Sequence, residues 1–149
     1  MIKLLRDEQH GLLDTIDAVL RAAETGSLLH LRQRLDTLQL RFQRYNAREM
    51  CLLYAYLECF MDCFQASDRA YIRRSHEESL TLKDSLEVIL ERYTSGLDPD
   101  TRLDNLGAHL LNLRFVLIDM FLDKQDRLFP LYYQCTNAQA IVTDLTARI

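Results

Sequence analysis

The chain is short of the residues that turn and stop a backbone. Four glycines and two prolines in 149 residues leave little material for the turns of an all-β fold. No apolar run reaches the ~18 residues of a membrane span. The first residues, Met1 to Glu8, turn acidic at Asp7, too soon for the apolar region of a signal peptide. The expected location is therefore the cytoplasm, with no membrane partner, and Cys51, Cys59, Cys63 and Cys135 are expected as thiols. None has Cys-x-x-Cys spacing; Cys59 and Cys63, at i and i+4, suit a metal, a thiol switch or a core filled by small side chains. Positive charge is not in excess either. A net charge of −4 and a pI near 5.5 argue against direct nucleic-acid binding through global charge. There is no glycine-rich phosphate loop, no placeable Ser-His-Asp set and no paired carboxylates in a pocket, so no enzyme is expected.

What the chain has is helical periodicity. Its composition, 48% hydrophobic and 27% charged, is that of one globular domain over residues 1–149. Helix one is expected from about Ile2 to Glu24, with Leu5, Leu12, Ile16, Val19 and Ala23 in one stripe widened by Leu13 and Leu20. Thr25-Gly26-Ser27 breaks it. Helix two runs from about Leu28 to Phe64 on the stripe Leu31, Leu35, Leu38, Phe42, Tyr45, Glu49, Leu52, Tyr56 and Phe60. Helix three starts from a cap at Ser67 or Asp68 and carries Ile72, His76, Ser79, Leu82, Leu86, Ile89, Leu90 and Tyr93. Asp98 caps and Pro99 opens helix four, which reaches about Pro130 or a few residues beyond and whose core stripe is Leu103, Leu106, Leu110, Leu113, Leu117, Phe121 and Leu128. A second stripe, Leu111, Phe115, Ile118 and Leu122, needs a cover. A last short helix capped by Asn137 is too short to stand alone, so it is expected to dock there, with a dimer seam as the other possibility. The fold class is all-α: an up-down four-helix bundle with a docked C-terminal helix.

One residue breaks the pattern. Glu49 stands where helix two demands a core side chain. A buried, unpaired carboxylate costs on the order of several kcal/mol, so a partner is expected: a metal, a histidine or a hydroxyl. The stretch Tyr45-Asn46-Ala47-Arg48-Glu49 has an echo 76 residues later in Phe121-Leu122-Asp123-Lys124-Gln125. Two inward stations on two helices suggest a bundle built around a central site.

These residues resemble the hemerythrin-like (HHE cation-binding) family over nearly the whole chain. Leu4-Leu5-Arg6-Asp7-Glu8-Gln9-His10-Gly11 is similar to the family's first opening, Ser75-His76-Glu77 to its second, and Lys124-Gln125-Asp126-Arg127-Leu128-Phe129-Pro130 to its Lys-Glu-Asp-x-Leu-Phe-Pro ending. The resemblance implies a di-iron centre held by two histidines and two His-x-x-x-Glu pairs. His10, Glu49 and His76 remain as residual ligand positions, while Tyr45, Phe121 and Gln125 stand in substituted ones. Three of six positions can still bind, so the expected cofactor is none, or iron if any. At ~100° per residue, His10 falls roughly 110° and His76 roughly 80° from its stripe centre, on the flanks. Without metal, Glu49 is expected to bridge the histidine N–H groups, and replacing it by leucine to stabilise the fold.

The function this supports is a non-enzymatic, regulatory protein-interaction module, bacterial by its family. It would bind a protein partner or a second copy through Leu111, Phe115, Ile118 and Leu122, or through the basic strip Arg34, Arg41, Arg44 and Arg48, which is otherwise a solvated face. The alternative is a metalloprotein, di-iron or mononuclear, that senses or carries oxygen, nitric oxide or iron. Leu106-Gly107 with Leu111-Asn112-Leu113-Arg114-Phe115-Val116-Leu117-Ile118-Asp119 also resembles helix four of the regulator-of-sigma-D family, metal-free bundles that bind the principal sigma factor.

Overall fold

The computed structural model describes residues 1–94 and 103–149, and the regular elements among them are all helical. Asp98, Pro99 and the turn around them lie outside the described residues, as does the side chain of Leu103. Helix α1, Ile2–Thr25, buries Leu5, Leu12, Ile16 and Val19, the expected stripe, together with Gln9 and Thr15. It stops at Gly26, whose φ of 71° is left-handed and favours a residue without Cβ. Ser27 then caps α2, Leu28–Arg48, its hydroxyl accepting from the backbone N–H of His30 at 3.5 Å. The α2 stripe Leu31, Leu35, Leu38, Phe42 and Tyr45 packs inward as the periodicity requires.

Beyond Arg48 the backbone does something the periodicity did not announce. Glu49–Tyr54 forms a π-helical turn, closed by the Ala55 N–H bonding to the Met50 carbonyl five residues back. Such a turn inserts one residue into the helix and moves its inner face on by one position. Leu53 and Leu57 are therefore buried where Leu52 and Tyr56 were expected, and Leu52 is exposed. The helix ends through α3, Ala55–Cys59, and a 3₁₀ turn, Met61–Cys63. Helix α4, Ala66–Thr94, begins slightly before the expected caps at Ser67 and Asp68. It buries Tyr71, Ile72, Ser75, Ser79, Leu86, Leu90 and Tyr93.

The last part of the chain differs most from expectation. Helix α5, Leu103–Asp123, runs through a second π-helical turn, Lys124–Leu128, into α6, Phe129–Ala147. From Asn105 to Ala147 this is one helix of 43 residues, about 65 Å long. Among the described residues no separate C-terminal helix folds back. Pro130 does not end the helix because it follows the wide turn, where the Phe129 N–H reaches back five residues to Lys124. The backbone distortion a helical proline imposes falls where the ladder is already widened.

Without a docked tail, the second stripe of helix four is open. Leu111, Phe115 and Leu122 are 48%, 60% and 52% exposed, and Ile118 is half-buried. Ile141, Val142 and Leu145 on α6 are exposed as well. The helix is thus buried on one side, along Leu106, Leu110, Leu113, Leu117, Phe121 and Leu128, and not on two. An 18-residue window in Asn105–Ala147 reaches a mean hydropathy of 1.2, with 28% of it buried. By length and composition alone this helix is apolar enough to cross a membrane. The same helix, however, packs its leucine face into the core, and Arg114 pairs with Asp17 of α1 at 2.8 Å.

Candidate functional site

The two wide turns fall on the two stations that the sequence singled out, and between them lies a polar cluster inside the core. Glu49 opens the first turn and is 1% exposed; Lys124 opens the second and is 2% exposed. The Lys124 ammonium donates to Glu49 Oε1 at 2.7 Å and to Ser79 Oγ of α4 at 2.7 Å. The other carboxylate oxygen, Oε2, accepts from the Tyr45 hydroxyl. Gln9 of α1 donates to Tyr45 at 3.2 Å and accepts from Gln125 at 3.3 Å. On the far side, the Tyr54 hydroxyl lies 2.7 Å from Ser75 Oγ and 3.2 Å from Ser79 Oγ. The result is one hydrogen-bonded chain from Tyr54 to Gln125.

The chemistry of this arrangement is that of a self-neutralised interior. Two opposite charges are desolvated together, and hydroxyls occupy the remaining sites on each, the condition under which a buried ion pair is tolerable. Among the described residues, the buried side-chain polar atom left without a partner is Glu8 Oε2, outside this cluster. Lysine is scarce here, three residues against fifteen arginines, yet a lysine is what the core holds. A compact ammonium on a flexible stem fits between a carboxylate and a serine where a planar guanidinium would demand more space.

The tyrosines feel the same environment. Burial, and next the Glu49 carboxylate, hold the Tyr45 hydroxyl well above its ordinary pKa of 10.0. Tyr54 is raised by the same two causes in the same order. Their folded pKa values lie above the unfolded ones, so their contribution to stability is complete below pH 10 and is lost as pH rises past it. Unfolding free energy measured in urea is expected to hold level as this limit is approached and to fall above it. The Tyr45→Phe, Tyr54→Phe variant is expected to show a shallower alkaline decline.

The expected ligand positions do not converge. His10 is exposed, because the inward position on α1 belongs to Gln9. His76 sits outside the cluster, stacked on the Tyr54 ring at 4.6 Å with its Nδ1 3.0 Å from Glu58. Glu49 is thus held by a tyrosine and a lysine, and not by histidine N–H groups as expected. Tyr45 meets Phe121 edge-to-face at 5.6 Å, filling space as anticipated, and Gln125 is half-buried at the end of the chain of bonds. Of the basic strip, Arg48 pairs with Glu8, and Arg41 donates to the Gly11 carbonyl at 3.2 Å. Arg34 and Arg44 are exposed.

Lys124, Gln9 and Tyr54 were not expected at the site, while Ser79 is buried as its place in the helix-three stripe requires. A signal existed for two of them. Lys124 stands three residues after Phe121, a core step as good as the four that select Gln125, and an angle of roughly 110° for His10 leaves Gln9 about 10° from the stripe centre. Tyr54 was hidden by the wide turn.

A di-iron centre requires histidine nitrogens and bridging carboxylates converging on one place. The donors here do not fit that group: the Glu49 carboxylate is bonded to an ammonium and a tyrosine hydroxyl, and the next groups along the chain of bonds are two neutral amides. Among the described residues no set of three or more His, Cys, Asp or Glu is arranged to hold a metal ion. No family model, curated protein or solved structure matches the chain.

Proposed function

We propose that the chain is an up-down four-helix bundle of the hemerythrin-like type whose interior cation is the Lys124 ammonium, and that it acts as a cytoplasmic, non-enzymatic regulatory module. It binds by pairing the outer face of α5 with a second copy of itself. The observation that carries this reading is the uncovered strip Leu111, Phe115, Ile118 and Leu122. Its steps of four, three and four match a helix-on-helix seam, and exposed Ile141 and Leu145 extend it along α6. A seam on one helix is self-complementary under two-fold symmetry, where the same patch faces itself. The core cluster supports the absence of catalysis, since its charges are already spent on each other.

Light scattering across a concentration series tests the reading. A dimer that dissociates on dilution supports it. A monomer at all concentrations contradicts the self-pairing, and flotation with lipid vesicles contradicts the cytoplasmic assignment. The likeness to the regulator-of-sigma-D family falls on the same strip. Capture of the principal sigma factor by a monomeric chain would replace the second copy with that partner.

A further inference from the structure

Cys63 and Cys135 are 72 residues apart in sequence, and the fold brings them to one cavity. Cys63 ends the 3₁₀ turn that closes helix two, and Cys135 lies on α6. Both line a cavity of about 240 Å³ whose other walls include Phe60, Phe64, Ala138 and Val142. Cys63 is exposed and Cys135 buried. The sequence had grouped Cys63 with Cys59, four residues away on its own helix. The structure gives it a different neighbour.

We infer that Cys63 and Cys135 form a dithiol modification site that reacts with low-molecular-weight disulfides and closes into an intramolecular disulfide. The exposed Cys63 supplies the first nucleophile. Its thiolate attacks one sulfur of the small disulfide, whose S–S bond breaks, and one small thiolate leaves with the electron pair and takes up a proton. Cys63 then carries a mixed disulfide. Cys135 releases its proton to water and attacks the Cys63 sulfur, and the second small thiolate departs. Two protein thiols are oxidised and one small disulfide is reduced to two thiols.

The asymmetry of the pair fits that order. An accessible thiol is the one a reagent reaches, and thiolate character with access sets the rate. Burial pushes the Cys135 thiol up, and both cysteines line the same cavity. A buried protonated thiol is a poor first nucleophile but a suitable resolving group once its partner on the same cavity carries a mixed disulfide. The closed disulfide would tie the end of helix two to α6, the helix that carries Ile141 and Leu145.

The test uses the full chain treated with oxidised glutathione, alkylated and mapped by mass spectrometry after proteolysis. The expected product is a peptide pair joined through Cys63 and Cys135. Cys59→Ser is expected to leave that yield unchanged, and Cys135→Ala to stop at a stable glutathione adduct on Cys63. A link between Cys59 and Cys63 would overturn the assignment, as would recovery of Cys63 and Cys135 unlinked after Cys51 and Cys59 have reacted. So would a Cys63–Cys135 link formed in urea but not in the native protein. If Cys135→Ala fails to fold, the wild-type map and the Cys59→Ser yield decide.

Discussion

Lys124→Met is expected to cost about 3–5 kcal/mol of folding stability, the loss typical of removing one member of a buried ion pair. The Glu49 carboxylate would remain in the core, with Tyr45 as its hydrogen-bond donor and the ammonium gone. Ser79 would lose the same partner. Total stability for a domain of this size is roughly 5–15 kcal/mol, so the variant stands near the edge of folding and its urea midpoint drops sharply. Glu49→Leu alone follows the same logic from the other side. Were Glu49 held by histidines, this substitution would stabilise the fold. With Lys124 in contact at 2.7 Å, it instead strands an ammonium and destabilises. The double variant Glu49→Leu, Lys124→Met removes both charges and is expected to regain most of the loss, because apolar side chains of similar volume replace a desolvated pair at little cost. Urea titration of the four proteins gives the coupling directly. Independent, additive losses would contradict the pairing.

Phe115→Glu with Leu122→Glu is expected to abolish self-association while leaving the monomer folded. Both side chains are more than half exposed, so neither substitution opens a cavity, and effects on monomer stability are expected within about 0.5 kcal/mol each. In the proposed seam the same two positions lie near the centre of a desolvated strip. Introducing carboxylates there costs on the order of 2–4 kcal/mol, roughly a thirty-fold to thousand-fold weaker dimer. Light scattering reads the first effect and thermal unfolding at low concentration the second. A variant that still dimerises would move the interface elsewhere.

The sequence made the all-α class and the inner stripes of α1, α2 and α5 legible, because those stretches keep a period near 3.6 and burial follows it residue by residue. It also singled out the two stretches between which the buried polar cluster lies. Glu49 was visible as a carboxylate at a core position, and the stretch around Gln125 as its echo. What it hid was set by backbone geometry. Each π-helical turn inserts one residue, so faces read at a constant step slip by one: Leu52 for Leu53 after Glu49. The echo itself misdirected. The echo aligns Gln125 with Glu49, one residue past Lys124, the residue that answers the charge. The docked tail failed for a related reason. Pro130 reads as a stop, and the wide turn before it lets the helix pass. With no stop, the tail has no route back to the strip it was meant to cover.

The central claim is that the interior charge of Glu49 is met by Lys124 and leaves no vacancy for a metal. Thermal unfolding of the as-purified protein, run with chelator and again with excess ferrous iron alongside metal analysis, tests it most directly. Anything that binds the native state alone raises the Tm with its concentration. The same Tm is expected in both conditions, with no stoichiometric metal and no oxo-bridged iron absorption. One or two tightly held irons per chain, with a Tm that rises on loading, would contradict it.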